Sequence, residues 1–301
     1  MAQRASIEAI VAVKPAPDQG RDAYINANSF TTKEGVRSVF GGALIGQAVS
    51  AATATVPNTF RMYSSQSSFL GSVNARNEVI YRVERTTDGN NYVTRLVRVT
   101  QGEVCIYVAI ISFQNTSRPV ANALKYVTPM PDLDGLRPDD IDPGAMYALQ
   151  GDLVDQSVPL MALTPEEWPF DWRPIGMVMS DQPTDLRVRI FVRAPPLSTD
   201  NHLAAFSYLS DEFLFGTALA ADMRAAGKGF RNVTMGVSLT HTVSFHNPQA
   251  RIDEWLVLER ETSWGAHGRV VIHQRAWVME TGKLVYSGTQ EALIRLKAPK
   301  L

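Results

Sequence analysis

Ser210-Asp211-Glu212-Phe213-Leu214-Phe215-Gly216-Thr217-Ala218-Leu219-Ala220 is the stretch on which the reading of this 301-residue chain turns. A polar start followed by a run that is apolar almost all round predicts the opening turns of a buried helix wrapped by a sheet. Ser210 or Asp211 is the expected N-cap, accepting a backbone N–H that the first turn leaves unpaired. A carboxylate at the mouth of such a helix is either a cap or a reactive group, and caps are far commoner.

The sequence partly repeats itself. Phe40-Gly41-Gly42-Ala43-Leu44 matches Phe215-Gly216-Thr217-Ala218-Leu219, 175 residues on. Ser68-Phe69 matches Ser244-Phe245, Tyr81-Arg82-Val83-Glu84-Arg85 matches Leu256-Val257-Leu258-Glu259-Arg260, and Gln114 matches Gln290, all 175 or 176 apart. Short matches in one order at nearly one spacing predict an internal duplication.

The length suits two domains with separate cores. A net charge of −1 with both signs dispersed gives no electrostatic case for nucleic acid or an anionic membrane. No stretch approaches the roughly 20 apolar residues that span a bilayer, and the apolar run before Pro15 is too short for a secretory signal. The single cysteine, Cys105, lies in the strand-like CIYVAIISF, so no intrachain disulfide forms and a thiol nucleophile is disfavoured. A soluble intracellular protein is the expectation.

Along the chain, a small-residue helix is predicted from Phe40 to Thr55, stopped by Val56-Pro57. RMYSSQSSFL, NEVIYRVERTT, YVTRLVRVTQ and EVCIYVAIISFQ then read as an antiparallel meander, with turns at Asp88-Gly89-Asn90 and Gln101-Gly102. The proline-rich, acidic texture after Asn115 predicts a long surface linker, with a short helix near Ala145–Val154. PFDWRP, LRVRIFVRAP, a second helix within NHLAAFSYLSDEFLFGTALAADMRAA, and four further strands repeat the pattern. The expected boundaries are a first domain at 1–115, a linker at 116–165 and a second domain at 166–301.

Few residues stand out chemically. Strict alternation in VSLTHTVSF puts Ser238, Thr240, Thr242 and Ser244 on one face, where a hydroxyl row ordinarily meets solvent. Gln290 shares a face with Ala292 and Ile294, so its amide is expected to be partly buried and in need of partners. His241 interrupts an apolar face and reads as a core histidine. His241 and His246 lie on opposite faces, no spacing supplies a metal site, and no phosphate-binding glycine loop is present.

VFGGALIGQAVSAATATVP, SSFL, YRVERTTDGNNYVTRLVRVTQ, ISFQ, SDEFLFGTAL, SLTHTVSFHNP, EWLVLERETS and SGTQEALIR together resemble the type II acyl-CoA thioesterases. The resemblance implies an α+β double hot-dog fold: two curved antiparallel sheets, each wrapped round a long central helix. It implies hydrolysis of an acyl-CoA or related thioester to free acid and CoA, without a cofactor beyond the CoA of the substrate. It places the family's catalytic Asp, Ser or Thr, and Gln on Asp211, Ser238 and Gln290, and makes Gly41 or Gly42 the candidate backbone donor to the oxyanion. Three positions depart from the family's pattern: Thr240 stands in place of an Asp, Gln66 of a His and Asn91 of a Ser, the last two in the region of the acyl or pantetheine channel. Because Val36 and Tyr63 stand 175 before Asp211 and Ser238, one active site per chain is expected. A hydratase, a pathway-specific acyl or polyketide enzyme, and a non-catalytic acyl-binding module are the alternatives. Further homo-oligomerisation is common among such folds. Pro299-Lys300-Leu301 is similar to a peroxisomal address, the alternative being a cytoplasmic protein with a chance ending.

Overall fold

The computed structural model describes residues 6–30, 39–118, 121–143, 145, 168–178, 180–222 and 232–297. Apart from Ala145, the short helix expected near Ala145–Val154 and the C-terminal tripeptide fall on residues outside this set, as does Val36.

Twelve strands make one sheet, antiparallel throughout. The first half contributes β1 (Val13–Pro15), β2 (Ala23–Asn26), β3 (Phe60–Phe69), β4 (Ile80–Asp88), β5 (Tyr92–Gln101) and β6 (Val104–Asn115). The second contributes β7 (Asp171–Val178), β8 (Arg187–Arg193), β9 (Val233–Phe245), β10 (Leu256–Ala266), β11 (Arg269–Val278) and β12 (Leu284–Leu296). Read from its outer edge, the first half runs β1-β2-β4-β5-β6-β3 and the second β7-β8-β10-β11-β12-β9. The two orders are equivalent, and the halves join where β3 pairs with β9, Ser64 opposite Ser244 and Ser68 opposite Thr240. The predicted pair of sheets is thus a single continuous one.

Four α-helices are described: α1 (Ile7–Val11), α2 (Gly41–Thr53), α3 (His202–Leu209) and α4 (Leu214–Ala221). Ten of the thirteen residues of α2 are buried, as its nearly all-apolar composition demands. It packs antiparallel on α3 at close range: a Cβ on Gly42 would sit 2.8 Å from the Tyr208 carbonyl oxygen, and one on Gly46 3.1 Å from that of Ala204. The small residues that cost helix propensity let two helix backbones meet inside the sheet.

Two sequence expectations are corrected here. The stretch from Ser210 does not open a helix. Ser210 is the C-cap of α3, its N–H bonded to the Phe206 carbonyl, and α4 starts only after Phe213. Phe213 adopts a left-handed backbone (φ 57°, ψ 16°), a strained choice for a bulky residue. Its ring is held edge-on to Trp168 and Trp172, with centroids 4.8 and 5.1 Å away. The second central helix is therefore broken at residues 210–213, because aromatic packing outweighs the apolar run's preference for continuous helix.

The repeat spacing is also corrected. Helices α2 and α3 begin 161 residues apart, so the Phe40–Leu44 match to Phe215–Leu219 is a coincidence of composition. Strands β3 and β9 do repeat at 176, and the spacing widens in the strands beyond them. The β3 register slips between Met62 and Ser64, and the β9 register slips between Ser238 and Thr240. The bulged residues, Tyr63 and Leu239, are 176 apart.

Candidate active site

The break after α3 turns Asp211 away from its own helix axis and towards the start of α2. A Cβ built on Gly41 would lie 2.8 Å from Asp211 Oδ2, and the Gly42 backbone N–H is near enough to hold the carboxyl's pKa down. Helix α2 has no side-chain cap of its own from Phe40. A carboxylate of the second half thus serves the first half's helix, where the unpaired N–H groups and the dipole favour negative charge. Asp211 is a cap, though not of the helix predicted.

Ser238 reaches the same carboxylate because of the β9 bulge. Along the sheet joint, His241, Val243 and Phe245 are buried and Thr240 and Thr242 exposed, as alternation requires. The extra residue at Leu239 reverses that phase, so Met235 and Val237 become exposed and Ser238 turns inward. The Ser238 hydroxyl donates to Asp211 Oδ1 at 3.1 Å. The prediction of a solvent-facing hydroxyl row fails at this one residue, since alternation cannot anticipate a bulge.

Gln290, 1% exposed, lies inward on β12 with Ala292 as expected. Its Nε2 donates to Asp211 Oδ1 at 2.7 Å and lies 2.8 Å from Ser238 Oγ. Its Oε1 has no partner among the described residues. Asp211, Ser238, Gln290 and the α2 glycines, remote in sequence, therefore meet at one point.

Burial drives the Asp211 carboxyl up to about 6, against hydrogen bonds from Gln290, Ser238 and Gly42 and the positive charge of Arg260. Burial likewise raises the neighbouring Glu212 to about 8, with Arg260 opposing and Asp211 reinforcing the rise. His241 is fully buried and pushed down to about 4, hence neutral. Because the Ser210 hydroxyl donates to the Ser207 carbonyl, it accepts from His241 Nε2, 3.0 Å away, which fixes the tautomer. Glu212 and Arg260 were not singled out from sequence. The available signals were two successive acids entering an apolar run, and an arginine in inward phase with Leu256 and Leu258. Of the departures noted above, Thr240 and Gln66 are exposed on the sheet, while Asn91 lies exposed in the β4–β5 turn and accepts from Arg118. None joins this cluster.

The mirror image of the cluster has lost its chemistry. Counting from the helix starts, Ser50 is the counterpart of Asp211. Counting from the bulges, Met62, not Tyr63, is that of Ser238. Ser65 pairs with Ile111 as His241 pairs with Gln290, so Ile111 and not Gln114 matches Gln290. A cavity of about 240 Å³ opens at this mirrored place, lined by Ser50, Arg61, Met62, His202 and Arg251 among others. It is distinct from the Asp211 cluster, whose three mirrored positions are Ser50, Met62 and Ile111. Among the described residues, no group of three or more His, Cys, Asp or Glu is placed to hold a metal ion, and no helix is long and apolar enough to cross a membrane.

Comparison with known proteins agrees with this architecture. Residues 138–294 match the family model described as the acyl-CoA thioesterase C-terminal domain, and residues 32–114 match the N-terminal domain. Human acyl-coenzyme A thioesterase 8 is 27% identical over 274 residues, covering 87% of this chain and 82% of its own length. The peroxisomal acyl-coenzyme A thioester hydrolase 1 of Saccharomyces cerevisiae is 23% identical over 335 residues, covering 90% of this chain and 91% of its own. The crystal structure of acyl-CoA thioesterase II TesB2 from Mycobacterium marinum superposes with a TM-score of 0.74 at 24% identity, over 98% of this chain and 100% of that one, which speaks to the fold. With both domain models matched in order along a doubled hot-dog fold, this chain belongs to the acyl-CoA thioesterase family.

Proposed function

We propose that this chain hydrolyses acyl-CoA thioesters to free acid and CoA, with Asp211 as general base and Ser238 and Gln290 as its partners. One observation carries the reading: a buried carboxylate, a hydroxyl and an amide from three separate elements converge within 2.7–3.1 Å at the start of α2. Asp211 takes a proton from water as the water oxygen bonds to the thioester carbonyl carbon. The carbonyl electrons move onto oxygen, then return as the C–S bond breaks, and the CoA sulfur leaves with the proton held by Asp211. General-base assistance of this kind is worth roughly 10²–10⁴ in rate. Gln290 Oε1, the acceptor left over, orients the water. With the Gly42 N–H already given to Asp211, the Gly41 N–H at the helix start receives the oxyanion, a donor worth roughly 10²–10³. The positions that mirror Asp211, Ser238 and Gln290 hold Ser50, Met62 and Ile111, so there is one such site per chain.

The test is release of CoA thiol across a panel of acyl chain lengths. Turnover of at least part of the panel is expected, and no release from any thioester would overturn the reading. Gln290→Ala is expected to lower kcat by about 10²-fold with little change in KM, because it removes orientation of the water rather than substrate contacts. Activity should rise with pH through about 6, as Asp211 loses its proton. A rate flat from pH 5 to 7 would remove Asp211 as the base.

We also infer peroxisomal residence, supported by the name of the yeast relative. Full-length chain carrying an N-terminal fluorescent tag should coincide with a peroxisomal marker, and diffuse signal would count against it. Assembly into homo-oligomers is proposed from the family's habit and is read from the solution mass.

A further inference from the structure

Two charged groups beside Asp211 take no part in the hydrolysis described above. Glu212 is 4% exposed and its Oε2 lacks a hydrogen-bond partner; Arg260 is 1% exposed and its Nε and Nη2 lack one too. Such groups are costly to bury, about 1–3 kcal/mol per unsatisfied atom and more when charged. The other fully buried guanidinium among the described residues shows the contrast. Arg95 donates to Thr55 Oγ1 and to the carbonyls of Thr55, Thr87 and Thr94, and pairs with Asp88. Arg260 has been buried without comparable structural bonding.

Its position is specific. Arg260 points inward from β10 and lies 5.7 Å from the Trp172 ring centroid, and Trp172 meets Phe213 of the broken turn edge-on. The Trp172 ring thus links the guanidinium to the turn that carries Asp211 and Glu212, and without a direct ion pair its charge acts on both carboxyls, on Glu212 ahead of Asp211. The other titratable groups round the cluster are Tyr208 on α3, Tyr107 on β6, Tyr286 on β12 and His241 on β9. Burial keeps the three phenols protonated and the imidazole neutral. Two adjacent buried carboxyls thus face one buried cation, and only one of them can be balanced.

We propose that Arg260 is the counter-charge that keeps Asp211 anionic, and that Glu212 decides whether Asp211 has that counter-charge to itself. Both are positioning residues, and the proposal rests on Asp211 being the base. While Glu212 holds its proton, Arg260 and Asp211 balance and the site is ready for water. When Glu212 ionises, it competes for Arg260 and sets a second negative charge beside the developing oxyanion, which slows hydrolysis.

The experiment is the pH profile of kcat/KM from pH 5 to 9, below the range near 10 where burial brings Arg260 itself to titrate, on a medium-chain acyl-CoA, followed by thiol release. The wild type should rise on an acid limb and fall on an alkaline one. Glu212→Gln should retain neutral-pH activity and lose the alkaline fall. Arg260→Met should move the acid limb upward, the direction expected on losing an opposite charge. Arg260→Lys, which keeps the charge, should leave the limb in place, so that a packing defect is told apart from a lost charge. The Glu212→Gln/Arg260→Met double variant should show both changes at once. An alkaline limb unchanged in Glu212→Gln, or an acid limb unmoved in folded Arg260→Met, overturns the proposal. Turnover surviving in Asp211→Asn overturns instead the assignment of the base.

Discussion

Asp211→Asn should reduce kcat by roughly 10²–10⁴, the range for loss of a positioned general base, while leaving the protein folded. The stability side of this result has a sign that distinguishes it from simple damage. The Asp211 carboxyl is raised from 3.8 to about 6 in the folded state, so folding binds that proton more tightly than the unfolded chain does. The stabilisation from this group is present below about pH 4 and is lost as pH rises through 6. Above that, holding the ionised carboxylate costs on the order of 3 kcal/mol. Asparagine escapes that cost but turns an amide donor towards the Gly42 N–H, losing about 1–3 kcal/mol. The two nearly offset at pH 7.5, where the variant and the wild type should melt within a few degrees of each other. Near pH 4 the wild type recovers its protonated acid and should melt higher. Calorimetry at the two pH values checks this, and full thiol release by the variant would remove Asp211 from the chemistry.

The sequence made the strands readable because each half-buried strand alternates apolar and polar residues. YVTRLVRVTQ was read as residues 92–101 and forms β5 over that range. Gln290 was readable for the same reason, since an amide in phase with Ala292 on a buried face must find partners. Ser238 was named through family resemblance alone; its inward aim depends on a bulge that shifts register by one residue, and no periodicity signals where a bulge falls. The helix break is similar. Nothing in Ser210–Ala220 shows that Trp168 and Trp172, some forty residues earlier, hold Phe213 in a left-handed turn. The internal repeat was real in the strands and misleading in the helices, because small and aromatic residues recur wherever helices pack closely under a sheet. Arg260 remained hidden within a good strand pattern, since a single arginine on an apolar face ordinarily extends its charge to water.

Gly42→Ala should damage stability and turnover together, for one geometric cause. The new Cβ would fall 2.4 Å from Phe40 Cε1 and 2.8 Å from the Tyr208 carbonyl oxygen. Phe40 is 40% exposed and can swing aside. The Tyr208 carbonyl is α3 backbone and can move only if the two central helices separate. Overpacking of this kind costs about 1–3 kcal/mol, offset by up to about 1 kcal/mol from the better helix propensity of alanine. The net loss should lower Tm by a few degrees. Separation of α2 from α3 also draws the Gly42 N–H away from Asp211 and displaces the Gly41 N–H from the place proposed for it beside the reacting carbonyl. A kcat loss of tenfold or more is therefore expected even at temperatures where the variant is fully folded. Gly71→Ala supplies the control: its Cβ meets nothing nearer than Ile106 Cγ2 at 3.6 Å, and both properties should stay at wild-type values. If Gly42→Ala loses Tm but retains wild-type kcat, the start of α2 supports the helix pair without serving the reaction, and the oxyanion donor must be sought elsewhere.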